Sequence, residues 1–218
     1  MQTFRVLSAL LCYPEQELLD ALAELPAVLD AEALVPTEQR AALDGFMREL
    51  GGMELLDAQE RYVALFDRNR SLSLHLYEHV HGESRDRGQA MVRLATLYGL
   101  HGLEVAANEL PDFLPLYLEF LSVMPERAAR SMLAEAVHVV AALAEKLAGR
   151  GSPYAAVLRA LEVLAAKPAQ PAMVAEMAGR LDPDADDPAA LDREWEEEAV
   201  RFAAAGLRNA TNDVACGR

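Results

Sequence analysis

Apolar residues recur along this chain three and four positions apart, the spacing of one helix face, and nowhere alternate as a half-buried strand requires. Phe4, Leu7, Leu10 and Leu11 share such a face behind Thr3, a candidate N-cap. Pro14 breaks this helix and is placed to open the next, which Leu18, Leu19, Leu22 and Leu25 line and Pro26 stops. Thr37 is the predicted cap of a third helix, with Leu43, Phe46, Met47 and Leu50 inward and Gly51 and Gly52 at its end. A fourth is expected over 53–67, with Leu55, Leu56, Tyr62, Val63 and Phe66 inward.

The second half reads the same way. A short helix over 74–80 should close at Gly82. Ser84 is placed to cap a longer one with Met91, Leu94, Ala95 and Tyr98 inward, and Gly99 and Gly102 bracket its end. Asp112 is the predicted cap of the next, where Leu114, Tyr117, Leu118 and Leu121 form an i, i+3, i+4, i+7 stripe. Pro115 falls early enough there to be tolerated. Pro125 opens the longest candidate, 126–148, with Gly149 as its C′ residue. Ser152 and Pro153 then start a helix over 153–166. The fold class expected is all-α: a single-domain helical bundle over 1–166. Residues 167–218 are expected to form a linker and an acidic tail, partly helical or mobile, with a short helix over 172–181. The sole tryptophan, Trp195, lies in that tail and suggests a docking contact.

Charge narrows the function. The chain has 218 residues and a formal net charge of −15. Nucleic-acid binding requires a basic face that displaces counterions, and no Lys/Arg cluster supplies one. An anionic membrane surface is disfavoured for the same reason, and no apolar run approaches the ~20 residues of a membrane span. A basic protein segment is the better electrostatic match. The two cysteines, Cys12 and Cys216, form no C-x-x-C pair, and the pattern suits a reducing cytoplasm. The start carries one Arg, a short apolar stretch and no small-x-small cleavage site, and so reads as the first helix of a cytoplasmic protein.

The densest chemistry lies in SLSLHLYEHVHGESRDRGQAMVRL, which runs from Ser71 to Leu94. His75 and His79 are spaced i, i+4, as two metal ligands on a helix would be. A zinc site also needs a third ligand, and only His81 and Glu83 lie near, past the helix end. A small metalloenzyme using His75, His79 and Glu83 therefore stays an alternative that elemental analysis would test. No nucleophile elbow, phosphate loop or dinucleotide fingerprint occurs. The carboxylate pairs read as a solvated face, and no cofactor of the chain's own is called for. Two readings of the stretch remain: a charge-laced junction that holds the fold, or the wall of a groove that receives an amphipathic helix, with acids selecting its basic face.

These residues resemble a known family. LSLHLYEHVHGESRDRGQAM is similar to the signature of the NarJ-type nitrate reductase assembly chaperones, the nitrate reductase delta subunit family. ELPDFLPLYLEFLS, from Glu109 to Ser122, resembles that family's second signature. RYVALFD, from Arg61 to Asp67, looks like the Tyr-x-x-Leu-Phe element of the wider TorD-like redox-enzyme maturation chaperones. The opening LSALLCYP and the tail WEEEAVRF are also similar, so the resemblance runs from about Thr3 to Phe202. It implies a non-catalytic helical bundle of the TorD-like type. Such a protein binds the N-terminal segment of the nitrate reductase catalytic (alpha) subunit in the cytoplasm and holds the apoenzyme for molybdenum cofactor insertion. Contact with the cofactor delivery machinery is implied too. Carried over by motif, the client-binding positions are Tyr77, His79, Glu83, Ser84, Arg87 and Gly88 from the first signature. The second contributes Pro111, Asp112, Leu116 and Phe120. A chaperone for a TMAO or DMSO reductase is the neighbouring alternative, and a permanent structural subunit a further one. Ala199 stands where a Pro would be unsurprising, which leaves the tail's conformation open. If the tail covers the groove, deleting 193–218 should tighten client binding.

Overall fold

The computed structural model describes residues 1–81, 85–105 and 109–181. The predicted Gly82 stop, the Ser84 cap, Glu83, and the acidic tail with Trp195 and Cys216 lie outside the described residues. The chain divides into a compact unit, Met1–Leu181, and a second unit, Asp182–Arg218.

Eleven α-helices make up the described part: α1 (Gln2–Leu11), α2 (Gln16–Ala21), α3 (Leu25–Glu32), α4 (Thr37–Gly51), α5 (Leu55–Tyr62), α6 (Leu76–His81), α7 (Arg85–Leu100), α8 (Leu114–Val123), α9 (Glu126–Gly149), α10 (Ala155–Leu164) and α11 (Pro171–Arg180). The only strand-like pairing among the described residues is an isolated antiparallel bridge between His75 and Phe113. The all-α expectation holds. The long helix α9 is the central post. Its middle, Val139 to Ala144, is buried all round, as a helix apolar on every face must be. Helices α10 and α11 pack along α9, α10 also meets α4, and α1 lies against α8 and α3. The predicted inward faces of α1, α4 and α8 are all buried.

Several local expectations are corrected by tertiary contacts. Thr3 is no cap: it sits inside α1, buried, and its hydroxyl donates to Glu32 Oε2 at 2.6 Å. Glu32 also accepts the Gln2 and Thr3 amides at 2.7 and 2.8 Å. A carboxylate from α3 thus supplies the cap of α1. Pro26 does not stop a helix but stands in the first turn of α3, which the Leu periodicity alone had merged with α2. Pro14 precedes α2 by two residues rather than opening it. Leu56 is 77% exposed, because α5 turns only Ala58 and Tyr62 fully inward. Gly149 stays within α9, and the left-handed turn falls at Gly151 (φ 66). Asp112 does not cap α8, whose N-cap is Phe113. Its carboxylate goes elsewhere.

The RYVALFD motif carries a further irregularity. Helix α5 passes at Val63 into a π-helical turn, Val63–Asp67, closed by the Arg68 amide on the Val63 carbonyl at 3.0 Å. Such turns cluster at functional sites because they re-aim side chains without ending the helix. Tyr62 and Phe66 face the core and pack with Tyr154 and Phe46 in one aromatic group, with centroids 4.7–6.3 Å apart.

Candidate functional site

The two motifs meet at the start of α6, where Tyr77 and Asp112 are 35 residues apart in the chain. The Leu76 amide donates to the Asp112 carbonyl at 3.0 Å, and the Leu114 amide to the Leu74 carbonyl at 2.8 Å. The Asp112 side chain, fully buried, accepts the Tyr77 amide on Oδ2 at 3.0 Å. Its Oδ1 lies 3.4 Å from His75 Nδ1. Asp112 therefore caps α6, not α8. The exposed N–H groups of a helix start favour an anion there. The His75 ring leans on Phe113, with centroids 5.3 Å apart.

A second set of polar contacts fixes α6 from the other side. Ser73 Oγ donates to Glu78 Oε2 and Arg70 Nε to Glu78 Oε1, both at 2.8 Å. Burial would raise the Glu78 pKa, but the bonds from Ser73 and Arg70 and the charges of Arg70 and Arg87 outweigh it and hold it below the ordinary value. His79 is buried, and its Nε2 donates to the Ser73 carbonyl at 2.7 Å. Burial, first of all, keeps His79 below the ordinary histidine pKa. Among the described residues, no three His, Cys, Asp or Glu side chains form a group that could hold an ion.

Beside this junction opens a groove of about 790 Å³, within the range of ligand sites. Tyr13, Leu18, Leu25, Tyr62 and Phe113 give it apolar surface, and His75 reaches its wall. Exposed acids rim it: Glu15 and Glu17 from the start of α2, Asp67 from the π-helical turn, and Glu109. Cys12, also in the lining, reports the potential there. Its thiol is pushed up to about 11, by burial first and then by the negative charges of Glu119 and Glu109. On the other side of α6 lies a small pocket of about 80 Å³, between Tyr77, Val80, Leu94, Tyr117, Glu135 and Val139. Three consecutive residues, His75 to Tyr77, thus separate the acidic groove from this apolar pocket.

The motif positions fall into two classes. Gly88 is exposed, and Tyr77, Arg87, Pro111 and Leu116 are half-buried. His79, Asp112 and Phe120 are interior. Phe120 stacks on Tyr98 at 4.7 Å and His101 at 5.5 Å, while the Tyr98 hydroxyl donates to the Pro111 carbonyl at 2.7 Å. These interior residues pack into the junction itself. Glu83 and Ser84 lie outside the described residues. The groove residues Tyr13, Glu15, Glu17 and Leu18 were not legible as a site, because the turn between α1 and α2 is remote in sequence from both signatures. The one available signal was the aromatic Tyr13 beside Pro14 in the LLCYP stretch. No described helix is long and apolar enough to cross a membrane.

Comparison with known proteins agrees with the motifs. The family model for the nitrate reductase delta subunit matches residues 30–160. The chain is similar to the nitrate reductase molybdenum cofactor assembly chaperone NarJ of Escherichia coli K12: 45% identity over 197 residues, 90% of this chain and 83% of the relative. Similarity extends to the probable nitrate reductase molybdenum cofactor assembly chaperone NarW of the same strain, at 39% over 93% of this chain and 84% of the relative. The probable chaperone NarJ of Bacillus subtilis is 34% identical over 73% of this chain and 85% of its own length. These relatives bear the names of assembly chaperones, not of enzymes, in line with the absence of catalytic motifs from the sequence. By its signatures, its helical fold and these matches, the chain belongs to the nitrate reductase delta subunit family.

Proposed function

We propose that this chain is a cytoplasmic maturation chaperone that binds the N-terminal segment of the nitrate reductase alpha subunit. It holds the apoenzyme for molybdenum cofactor insertion and complex assembly, working beside the machinery that delivers the cofactor. The observation that carries this reading is the acid-rimmed apolar groove, which touches both family signatures through His75 and Phe113. An amphipathic helix fits such a groove, with its apolar face inward and its Lys/Arg face against Glu15, Glu17, Asp67 and Glu109. Tyr77, Arg87, Gly88, Pro111 and Leu116 extend the contact surface, together with Glu83 and Ser84. His79, Asp112 and Phe120 keep its shape. Ordering the client segment costs ~2–5 kcal/mol of the gross interaction, which keeps affinity moderate and permits release.

Calorimetric titration with a synthetic peptide of the alpha-subunit N-terminus tests this. Binding should be saturable and weaken with salt. Glu17→Lys and Glu109→Lys should each weaken it roughly tenfold, as charge reversal in a complementary interface does. Binding of a TMAO or DMSO reductase N-terminal peptide in its place would transfer the role to another molybdoenzyme.

A further inference from the structure

Helix α2 stands between two cavities. On one side Glu17, Leu18 and Ala21 line the acidic groove. On the other, Leu19 and Leu22 line a second cavity of about 740 Å³, completed by Ala23, Pro26, Met47 and Gly51. The second cavity has an apolar base in Leu22 and Met47, both buried. Its charges are largely self-neutralised: Arg40 meets Asp30 at 3.0 Å, pairs with Asp44, and donates to the Pro26 carbonyl at 2.9 Å.

The wall between the cavities is weak. Helix α2 has six residues and none is fully buried. Helices this short are not stable on their own, and segments with few buried contacts open locally at low cost. Its side chains make no hydrogen bond to another helix among the described residues; Gln16 bonds only Asp20, within α2, at 2.8 Å. The flanks, by contrast, are pinned. Pro14 is buried and its carbonyl accepts from the Gln59 side-chain Nε2 at 2.9 Å, and the Pro26 carbonyl is held by Arg40. Between them half-buried Leu18, Leu19, Ala21 and Leu25, and buried Leu22 just past the helix, seat the segment.

A segment fixed at both ends and loosely seated between two cavities is built as a flap. We propose that α2 lifts when the client's basic amphipathic helix enters the acidic groove, joining the two cavities into one trough, and reseats on release. This rests on the client reading above. The occupant is set by charge: Glu15 and Glu17 travel with the flap, so a cationic helix face draws α2 along while its apolar face gains Leu19, Leu22 and Met47.

Two measurements on the full chain test it, with the alpha-subunit N-terminal peptide as probe. Hydrogen exchange of the free protein should show amides 17–22 exchanging on the order of 100-fold faster than those of α1 and α4. In chain labelled with ¹³C at the methionine methyls, saturating peptide should shift the Met47 signal, although Met47 does not line the acidic groove. Leu22→Ala, which unseats the flap, should raise the peptide association rate about tenfold. Peptide binding with Met47 unmoved and 17–22 as protected as α4 would overturn the flap and leave the client reading intact. Absence of any peptide binding would overturn both.

Discussion

The Asp112 carboxylate accepts the Tyr77 backbone amide at 3.0 Å and joins the two family signatures at one buried point. The same residue offers its carbonyl to Leu76, so both ends of Asp112 hold the first turn of α6. The buried carboxyl group is tolerated because the Tyr77 amide meets one of its oxygens and His75 the other. Asp112→Ala should therefore cost about 2–4 kcal/mol, since it strips the cap and leaves a buried N–H unpaired. Asp112→Asn keeps one acceptor oxygen and should cost less than half as much. Urea unfolding of both variants measures this; equal stability of Asp112→Ala and wild type would show that the contact holds nothing.

Two tyrosines of the aromatic group should respond with opposite sign. The Tyr62 hydroxyl donates to the Leu11 carbonyl at 3.0 Å. The Tyr154 hydroxyl is buried and has no hydrogen-bond partner among the described residues. Tyr62→Phe leaves a buried carbonyl unsatisfied and should cost about 1 kcal/mol, whereas Tyr154→Phe should be neutral or stabilise by up to about 1 kcal/mol. Thermal or urea unfolding distinguishes them.

Acid should loosen the α6 junction and the α1 start. Glu78 and Glu32 both sit below the ordinary carboxylate value; in each, burial works against the shift and hydrogen bonds overcome it, from Ser73 and Arg70 for Glu78 and from Thr3 and Gln2 for Glu32. A depressed folded pKa contributes stability that is present above the unfolded value of 4.5 and lost as pH falls through the folded one. The stability gap between wild type and a Glu78→Gln variant should therefore be full at pH 6 and shrink below about pH 4.5. A gap independent of pH would mean that the Glu78 charge plays no part.

Cys12 should be a poor nucleophile despite its place in the groove. Its pKa moves from 9.0 to about 11, which leaves roughly a hundredfold less thiolate at pH 8. In a Cys216→Ser background, iodoacetamide should alkylate Cys12 about a hundredfold more slowly than a free cysteine of unshifted pKa. Alkylation at the free-cysteine rate would show that the groove is neither as buried nor as negative as its lining implies.

The sequence by itself determined the helical class, most inward faces and the absence of catalytic motifs, because those depend on local periodicity and composition. The stripes of α1, α4 and α8 are buried as their spacing requires. Its two signatures also carried the family. Tertiary structure decided the partners of the polar side chains. From spacing alone, Thr3 and Asp112 read as caps of their own helices. In the fold, Glu32 caps α1 and Asp112 caps α6, because a buried donor is satisfied by whichever acceptor packs nearest in space. The groove was illegible for the same reason. Its walls come from the α1–α2 turn, the π-helical turn, His75 and the segment from Glu109 to Phe113, stretches that only packing brings together.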